Sequence, residues 1–317
     1  MVYDLAIVGG GMVGAAAARH AAKMGASVAL IGPGEPDRST WGSHSTFGAH
    51  FDEGRITRKT DVDPVWARLA ARSIDRYAEI ATEGGGSFFD EVGHLTVGVN
   101  GSDTLAQRAR VADEQGVSGW EALDQAALLS RFPYLQFPPG CAAVFEPSES
   151  GYISARRLVR AQTAAAAAHG CKIIQAEVSK VNRLPEGLPE GLPEGLPEGR
   201  FSLALASGEQ VLSQRVLVAA GAFTNSRPLL PADSGGGCVQ LDQTPIKTQT
   251  VQFVLGVEDT ARLSGMPSLI FKGHTHWACA HTPRLHHIHH PRPCTPHALP
   301  CTHHWPPPSS PQTSYRP

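Results

Sequence analysis

The sequence predicts an α/β fold organised on a parallel sheet, and three observations within residues 1–34 carry that prediction. Residues 4–8, Asp-Leu-Ala-Ile-Val, form a short apolar run with the length and composition of a strand buried on both faces. The run ends in Gly9-Gly10-Gly11-Met12-Val13-Gly14, followed by an alanine-rich stretch through Met24 that Gly25 closes. A second apolar run occupies residues 28–31. Strand, glycine turn, helix and strand in that order make a dinucleotide-binding βαβ unit.

Each glycine of the turn has a separate requirement. Gly9 permits the tight turn, Gly11 lets the backbone approach a pyrophosphate, and Gly14 lets the helix lie close to the sheet. Met12 and Val13 open the helix, where unpaired N–H groups and the positive end of the dipole face the phosphates. The acidic residue expected after the second strand, which would bind the adenosine ribose, is replaced by Gly32. Glu35 or Asp37 is placed to reach back from the Gly32-Pro33-Gly34 turn.

At 317 residues the chain holds one large or two smaller domains. A formal charge of −2 gives no electrostatic case for nucleic acid or an anionic membrane as partner. No apolar run approaches the ~20 residues of a membrane span. The chain enters its first strand directly, so no signal peptide is expected. Cys141, Cys171 and Cys238 read as reduced thiols of an intracellular, cytoplasmic protein, because the cysteines show no CxxC pair or regular framework. The chain carries no peroxisomal C-terminal signal, and no metal site is expected.

Further along, residues 39–48 are polar and glycine-rich, hence loop. A helix should start at Pro64 with Asp63 as its cap and end before Gly84. Trp66, Leu69, Ser73, Tyr77 and Ile80 repeat at helical spacing and should face the core. Phe88-Phe89 and Leu95-Thr96-Val97, flanking Val92-Gly93, read as a hairpin. Helices are expected over residues 105–114 and 124–131, and another capped by Ser154 that runs to His169. Residues 172–181, 201–206 and 216–220 read as strands, the last leading into Gly221. His20, His50 and His94 look structural or exposed.

Two segments stand apart. Leu-Pro-Glu-Gly occurs four times over residues 184–199, and a proline in every fourth position excludes helix and central strand, so this is an expanded loop without chemistry. Ten of the fifteen histidines fall in residues 273–317, a His/Pro-rich tail without apolar periodicity that is expected to be disordered. Its imidazoles, with Cys279, Cys294 and Cys301, suggest metal binding; the favoured reading is a non-native C-terminus, since a metal site needs a fixed shell.

The stretch from Gly42-Ser43-His44 to Arg58, with the N-terminal fingerprint, resembles the FAD-dependent amine oxidases of the monomeric sarcosine oxidase type, within the D-amino-acid oxidase superfamily. Supporting matches are residues 88–98, Ser150-Gly151-Tyr152-Ile153, Val178 and Ala219-Ala220-Gly221-Ala222-Phe223, so the likeness covers about residues 1–272. It implies a Rossmann-type FAD-binding domain over 1–84 and 151–230 with an inserted mixed-sheet substrate domain over 85–150 and 231–272, incomplete at the C-terminus. FAD would be held by Gly9, Gly11, Met12, Val13, Gly14, Ser43, His44, Arg55, Val178 and Gly221. His44 would either contact the flavin or cap its loop.

The catalytic pair implied by the resemblance is Arg55 and Arg58. A fixed Arg55 cation beside the flavin would stabilise the negative charge of its reduced form. Arg58, one turn or so further on, would clamp a substrate carboxylate. The implied reaction oxidises a secondary or primary amino acid to an imine, with dioxygen as final oxidant and peroxide as product. Sarcosine, pipecolate, N-methyl amino acids and small D-amino acids remain open as substrates. The family's chains continue beyond the point where the likeness stops, and the lysine and cysteine they place near the flavin have no counterpart here; no lysine follows Lys272. Residues 1–317 as written are therefore expected to bind FAD weakly and not to turn over. A nicotinamide-dependent dehydrogenase, or a non-catalytic remnant or faulty gene model of an oxidase, stays as the alternative.

Overall fold

The computed structural model describes residues 1–37, 39–40, 46–184, 201–232, 237–246 and 253–273. The compact unit runs from Met1 to His274. The Leu-Pro-Glu-Gly repeat beyond Leu184, Ser43, His44 and the tail lie outside the described residues.

The predicted βαβ unit is present as β1 (Val2–Val8), α1 (Met12–Lys23) and β2 (Val28–Ile31). Its strands are the centre of a six-stranded sheet that also takes β9 (Lys172–Ile174), β10 (Val178–Arg183), β11 (Phe201–Leu205) and β12 (Gln210–Val218). The order is β10-β11-β12-β1-β2-β9. From β12 to β9 neighbours run parallel, and β10 and β11 add antiparallel strands at one edge. Side-chain alternation explains the apolar run of β1. Ala6 and Val8 pack on one face with Ile31, Leu203 and Leu205, while Ile7 packs on the other with Ala15, Ala18 and Ala166. The small side chains of α1 let it lie against α6 (Ala155–Ala168), which in turn packs on α3 (Tyr77–Gly84).

A four-stranded sheet, β13-β5-β7-β6, combines β5 (His94–Val99), β6 (Glu121–Leu123), β7 (Cys141–Glu146) and β13 (Ser268–Lys272). α4 (Asp103–Glu114) and α5 (Gln125–Arg131) accompany it. Between the two sheets in sequence, β3 (Arg55–Thr57), β4 (Phe89–Asp90) and β8 (Gly151–Ile153) form a small antiparallel sheet ordered β3-β8-β4.

Helix starts fall where their caps predict. Asp63 accepts from the N–H groups of Val65 and Trp66, Asp124 from Ala127, and Ser154 Oγ from Arg157. Four expectations are corrected. The helix opened by Pro64 is two helices, α2 (Pro64–Ile74) and α3, so its stripe loses register: Tyr77 and Ile80 are buried, but Trp66 is 66% and Leu69 46% exposed. Gly84 closes α3 instead of following it; Gly85 is the left-handed cap. A side chain at Gly84 would strike Ala161 of α6, which explains the glycine. Residues 88–97 form no hairpin, because β4 joins β8 and β5 joins β7 in different sheets. The expected strand over 172–181 is broken at Gln175-Ala176-Glu177 into β9, parallel to β2, and β10, antiparallel to β11.

Arg19 of α1 is fully buried and bonds Glu79 (2.7 Å) and Glu83 (2.5 Å) of α3, with Lys23 on the same two carboxylates. The Arg19 and Lys23 hydrogen bonds pull the Glu83 pKa down to about 2. Replacing both acids, Glu79→Gln with Glu83→Gln, leaves the buried Arg19 charge uncompensated and should cost about 3 kcal/mol. That corresponds to a fall of about 6–12 °C in Tm for a unit of this size. Adding Arg19→Met should recover most of the loss in a thermal melt; a triple variant no more stable than the double would refute the charge argument.

Candidate active site

The turn between β1 and α1 opens on a cavity of about 260 Å³ lined by Gly9, Gly10, Gly11, Met12 and Val13. Val8 and Ile31 close its floor where the two central strands end, and Val178 and Gly221 stand on its other walls. Two backbone contacts shape the turn. Gly9 adopts φ 111°, and its N–H donates to Ile31 O at 2.7 Å. A Cβ there would stand 2.4 Å from Ala219 O. At Gly14 a Cβ would stand only 1.9 Å from Gly9 O, so glycine alone lets α1 meet the strand end.

Gly11 differs. A Cβ there would meet nothing closer than His50 Nδ1 at 3.7 Å, so this glycine is required by nothing among the described residues. Gly11 caps α1 without a side-chain hydrogen bond, and the first turn carries no acidic residue. The amides of Met12, Val13 and Gly14 belong to the first turn of the helix, where N–H groups lack intrahelical partners and suit an anion. A bare glycine over open space above free amides is what a pyrophosphate requires. The residues present fit the diphosphate of a dinucleotide.

Of the residues expected here, Gly9, Gly11, Met12, Val13, Val178 and Gly221 meet around this one cavity, with Gly14 behind it. Arg55 does not line it. Its Nη2 donates to the carbonyl of Ala49, a lining residue, and its Nε lies 3.2 Å from Asp52 Oδ2. Arg58 is further off, bonded through Nη2 to Asp61 Oδ2 at 2.6 Å, and its charge acts on His94 and Arg108. The two arginines are not a helical turn apart. Arg55 stands at the start of β3 and Arg58 just beyond its end, so no helix places them on one face.

The structure brings to the cavity residues that the sequence did not assign to it, among them His50, read from the sequence as structural or exposed. His50 lines the cavity beside Phe51, ring centroids 4.5 Å apart and edge-on, and burial lowers its pKa, with Arg156 and Arg55 adding to the fall and Glu35 opposing it. Nothing in its Ala-His-Phe context signals a site. Glu177 and Arg227 also line the cavity and pair at 2.9 Å. Glu35 does not reach back toward a ribose: both its oxygens accept from Arg156 at 2.6 Å, and Arg156 also holds Glu53. His94 and His20 are as expected, His94 buried and His20 exposed. Cys141 and Cys171 are buried free thiols and Cys238 is partly exposed.

Parallel sheet, glycine cradle and free helix amides together define a dinucleotide-binding α/β protein. Residues 4–288 match the DAO family model, FAD dependent oxidoreductase, and the chain belongs to that family. Its cofactor is therefore FAD. N-methyl-L-tryptophan oxidase of Yersinia pestis (strain Pestoides F) is 28% identical over 175 residues, which are 55% of this chain and 45% of that protein. The fold is shared with L-proline dehydrogenase from P. horikoshii (TM-score 0.55, 20% identity, 71% of this chain and 55% of that one). It is shared equally with NikD, an unusual amino acid oxidase essential for nikkomycin biosynthesis (TM-score 0.54, 20% identity, 71% and 53%). The chain spans about half the length of these relatives. Among the described residues no helix is long and apolar enough to cross a membrane.

Proposed function

We propose that this chain carries the FAD-binding part, and some of the substrate part, of an oxidase that converts a secondary or primary amino acid to its imine. The observation that carries the proposal is the cavity at Gly9–Val13, whose free amides and bare Gly11 suit a pyrophosphate, in a chain of the FAD dependent family. The relatives act on amino acids by their names, which supports a small carboxylate-bearing amine as substrate. Bound flavin supplies the two-electron acceptor for the C–H bond beside the amine nitrogen, with dioxygen as final oxidant and peroxide as product.

The proposed division assigns residues 1–84 and 151–230 to the cofactor and 85–150 and 231–272 to the substrate. The six-stranded sheet draws all its strands from the first set and the four-stranded sheet all its strands from the second, which supports it. Arg55, tied to the Ala49 carbonyl, would hold the cavity wall and place a positive charge beside the bound ring. Arg58 is 21% exposed; Asp61 occupies its Nη2, and its Nε is buried without a partner among the described residues. That spare donor capacity supports the reading of Arg58 as the carboxylate clamp. Ser43 and His44 remain proposed cofactor contacts.

The cofactor reading is tested by purifying residues 1–317 and titrating FAD against quenching of its fluorescence; a chain that binds no FAD would sink it. The substrate reading is tested at Arg58. Arg58→Ala should raise the KM for a carboxylate-bearing amine, or its Kd where turnover is absent, by about 2–4 kcal/mol. It should also erase discrimination against the decarboxylated analogue. Unchanged affinity with unchanged discrimination removes Arg58 from the site.

A further inference from the structure

We propose that the adenosine ribose of the cofactor is bound by Glu177, steered by Arg227, in place of the acidic residue that dinucleotide folds carry after their second strand. The inference rests on the reading of the cavity as an FAD site and assigns to it a residue that reading does not contain.

The usual position is closed. It is Gly32, where a Cβ would stand 2.5 Å from the backbone nitrogen of Gly10, so no acidic side chain fits without moving the phosphate turn. The next acid, Glu35, has both oxygens engaged by Arg156. Asp37 is not among the residues lining the cavity. Among the described residues, Glu177 is the one acidic residue that does line it.

Its place in the fold suits the task. β9 pairs with β2 so that Ile174 lies opposite Ile31, and the chain leaving β9 toward Glu177 therefore emerges beside the chain leaving β2 toward Gly32. The Glu177 carbonyl accepts from Ala206 N at 2.8 Å, which fixes the main chain under the side chain. Arg227 Nε donates to Glu177 Oε1 at 2.9 Å, and Oε2 has no partner among the described residues. Glu177 is about one-third exposed, so its side chain is open to a ligand. A carboxylate held by one oxygen and free at the other accepts from a ribose hydroxyl as the missing acid would. It also repels a 2′-phosphate. Arg227 touches the cofactor in no necessary way and acts as a positioning residue.

The test is calorimetric titration of residues 1–317 with ADP, 2′,3′-dideoxy-ADP and adenosine 2′,5′-diphosphate. The wild-type chain should bind ADP about tenfold more tightly than the dideoxy analogue, the worth of one charge-assisted hydrogen bond. Glu177→Ala should bind both alike, with its thermal midpoint unchanged, and should accept the 2′-phosphate better than wild type. Glu177→Asp should restore part of the ratio, and Arg227→Ala should reduce it. A wild-type ratio near one, or a Glu177→Ala variant that keeps the wild-type ratio, overturns the proposal while FAD binding in the same samples leaves the cofactor reading standing. Failure of the wild-type chain to bind either ADP or FAD overturns both.

Discussion

Gly11→Ala is expected to leave the fold intact and to abolish FAD binding, whereas Gly14→Ala is expected to lose both. The two glycines are three residues apart in one turn, and the difference lies in what a methyl group would meet. At Gly14 it would stand 1.9 Å from the Gly9 carbonyl, a backbone atom that cannot rotate away. The helix α1 must then lift from the strand, opening the packing of Ala15, Ala18 and Ala22 on Ile7 and Leu30, at a cost of about 3 kcal/mol or more. At Gly11 the backbone has φ −81°, open to any residue, and the methyl meets only an ordinary contact with His50. Alanine there is a poor helix cap and should cost no more than about 1 kcal/mol. Yet the methyl would enter the open space beside the helix start that lines the cavity, where the pyrophosphate is proposed to sit. Affinity for FAD should fall at least 100-fold, about 3 kcal/mol. Fluorescence quenching and thermal midpoints on the two variants separate the effects. A Gly11→Ala chain that binds FAD like wild type would falsify the assignment of this turn to the phosphates.

What was legible in the sequence was local. The βαβ unit is contiguous, and Gly9, Gly14 and Gly32 are dictated by close backbone contacts within the unit or with the strand end at Ala219. Caps at Asp63 and Ser154 depend on neighbours two or three positions away, and both are where the sequence puts them; Asp124, expected as the first helical residue, is the cap of α5. The family resemblance and its cofactor agree with the family match. Errors arose where partners are distant. Residues 88–97 have the pattern of a hairpin, but Phe89 pairs with Ile153 and Leu95 with Phe145, choices that no local pattern records. The stripe through Trp66 and Leu69 fails because the helix breaks at Asp75-Arg76, after which its later members face a different neighbour.

The cavity shows the same division. Glycine and helix start were readable, being properties of one segment. His50, Glu177 and Arg227 were not, because they reach the cavity from three separate segments: the loop before β3, the break after β9 and the end of the turn following β12. Arg55 and Arg58 were readable as a pair, but Arg55 stands in β3, which forms by pairing with β8 almost a hundred residues on, and Arg58 lies beyond the strand's end. Arg19 carries no local signal of burial, because its partners are two acids of α3, 60 and 64 residues further on.

Stability should fall on acidification from pH 6.5 downward, well before the carboxylates titrate, and His94 should be the main cause. Its ring is fully buried between β5 and β13. Ser268 Oγ donates to Gly93 O at 3.1 Å, so the Ser268 hydroxyl must accept from His94 Nδ1–H at 2.9 Å. Nε2 is then left to accept from Thr96 at 2.9 Å, and a second proton on the ring would reverse that bond and bury an uncompensated charge. Burial, aided by the charges of Arg58 and Arg108, pushes the pKa down to about 3. The sign follows from proton uptake. Below pH 6.5 the unfolded chain binds a proton that the folded ring refuses, so the neutral ring's contribution is complete above pH 6.5 and lost as pH falls toward 3. One proton gives about 1.4 kcal/mol per pH unit, hence about 2–3 kcal/mol by pH 4.5 and about 4 by pH 3. The lowered pKa values of His50 and His20 act in the same direction. Comparing urea unfolding of wild type with His94→Gln from pH 7 to 4.5 isolates the His94 share. The variant should start less stable, having lost one or both hydroxyl contacts, and should lose less on acidification. Equal slopes in the two proteins would show that His94 is not the group responsible. Because His94 ties β13 to β5, whose sheet carries the proposed substrate part, acid should loosen that sheet while the cofactor cradle around Gly9 remains folded.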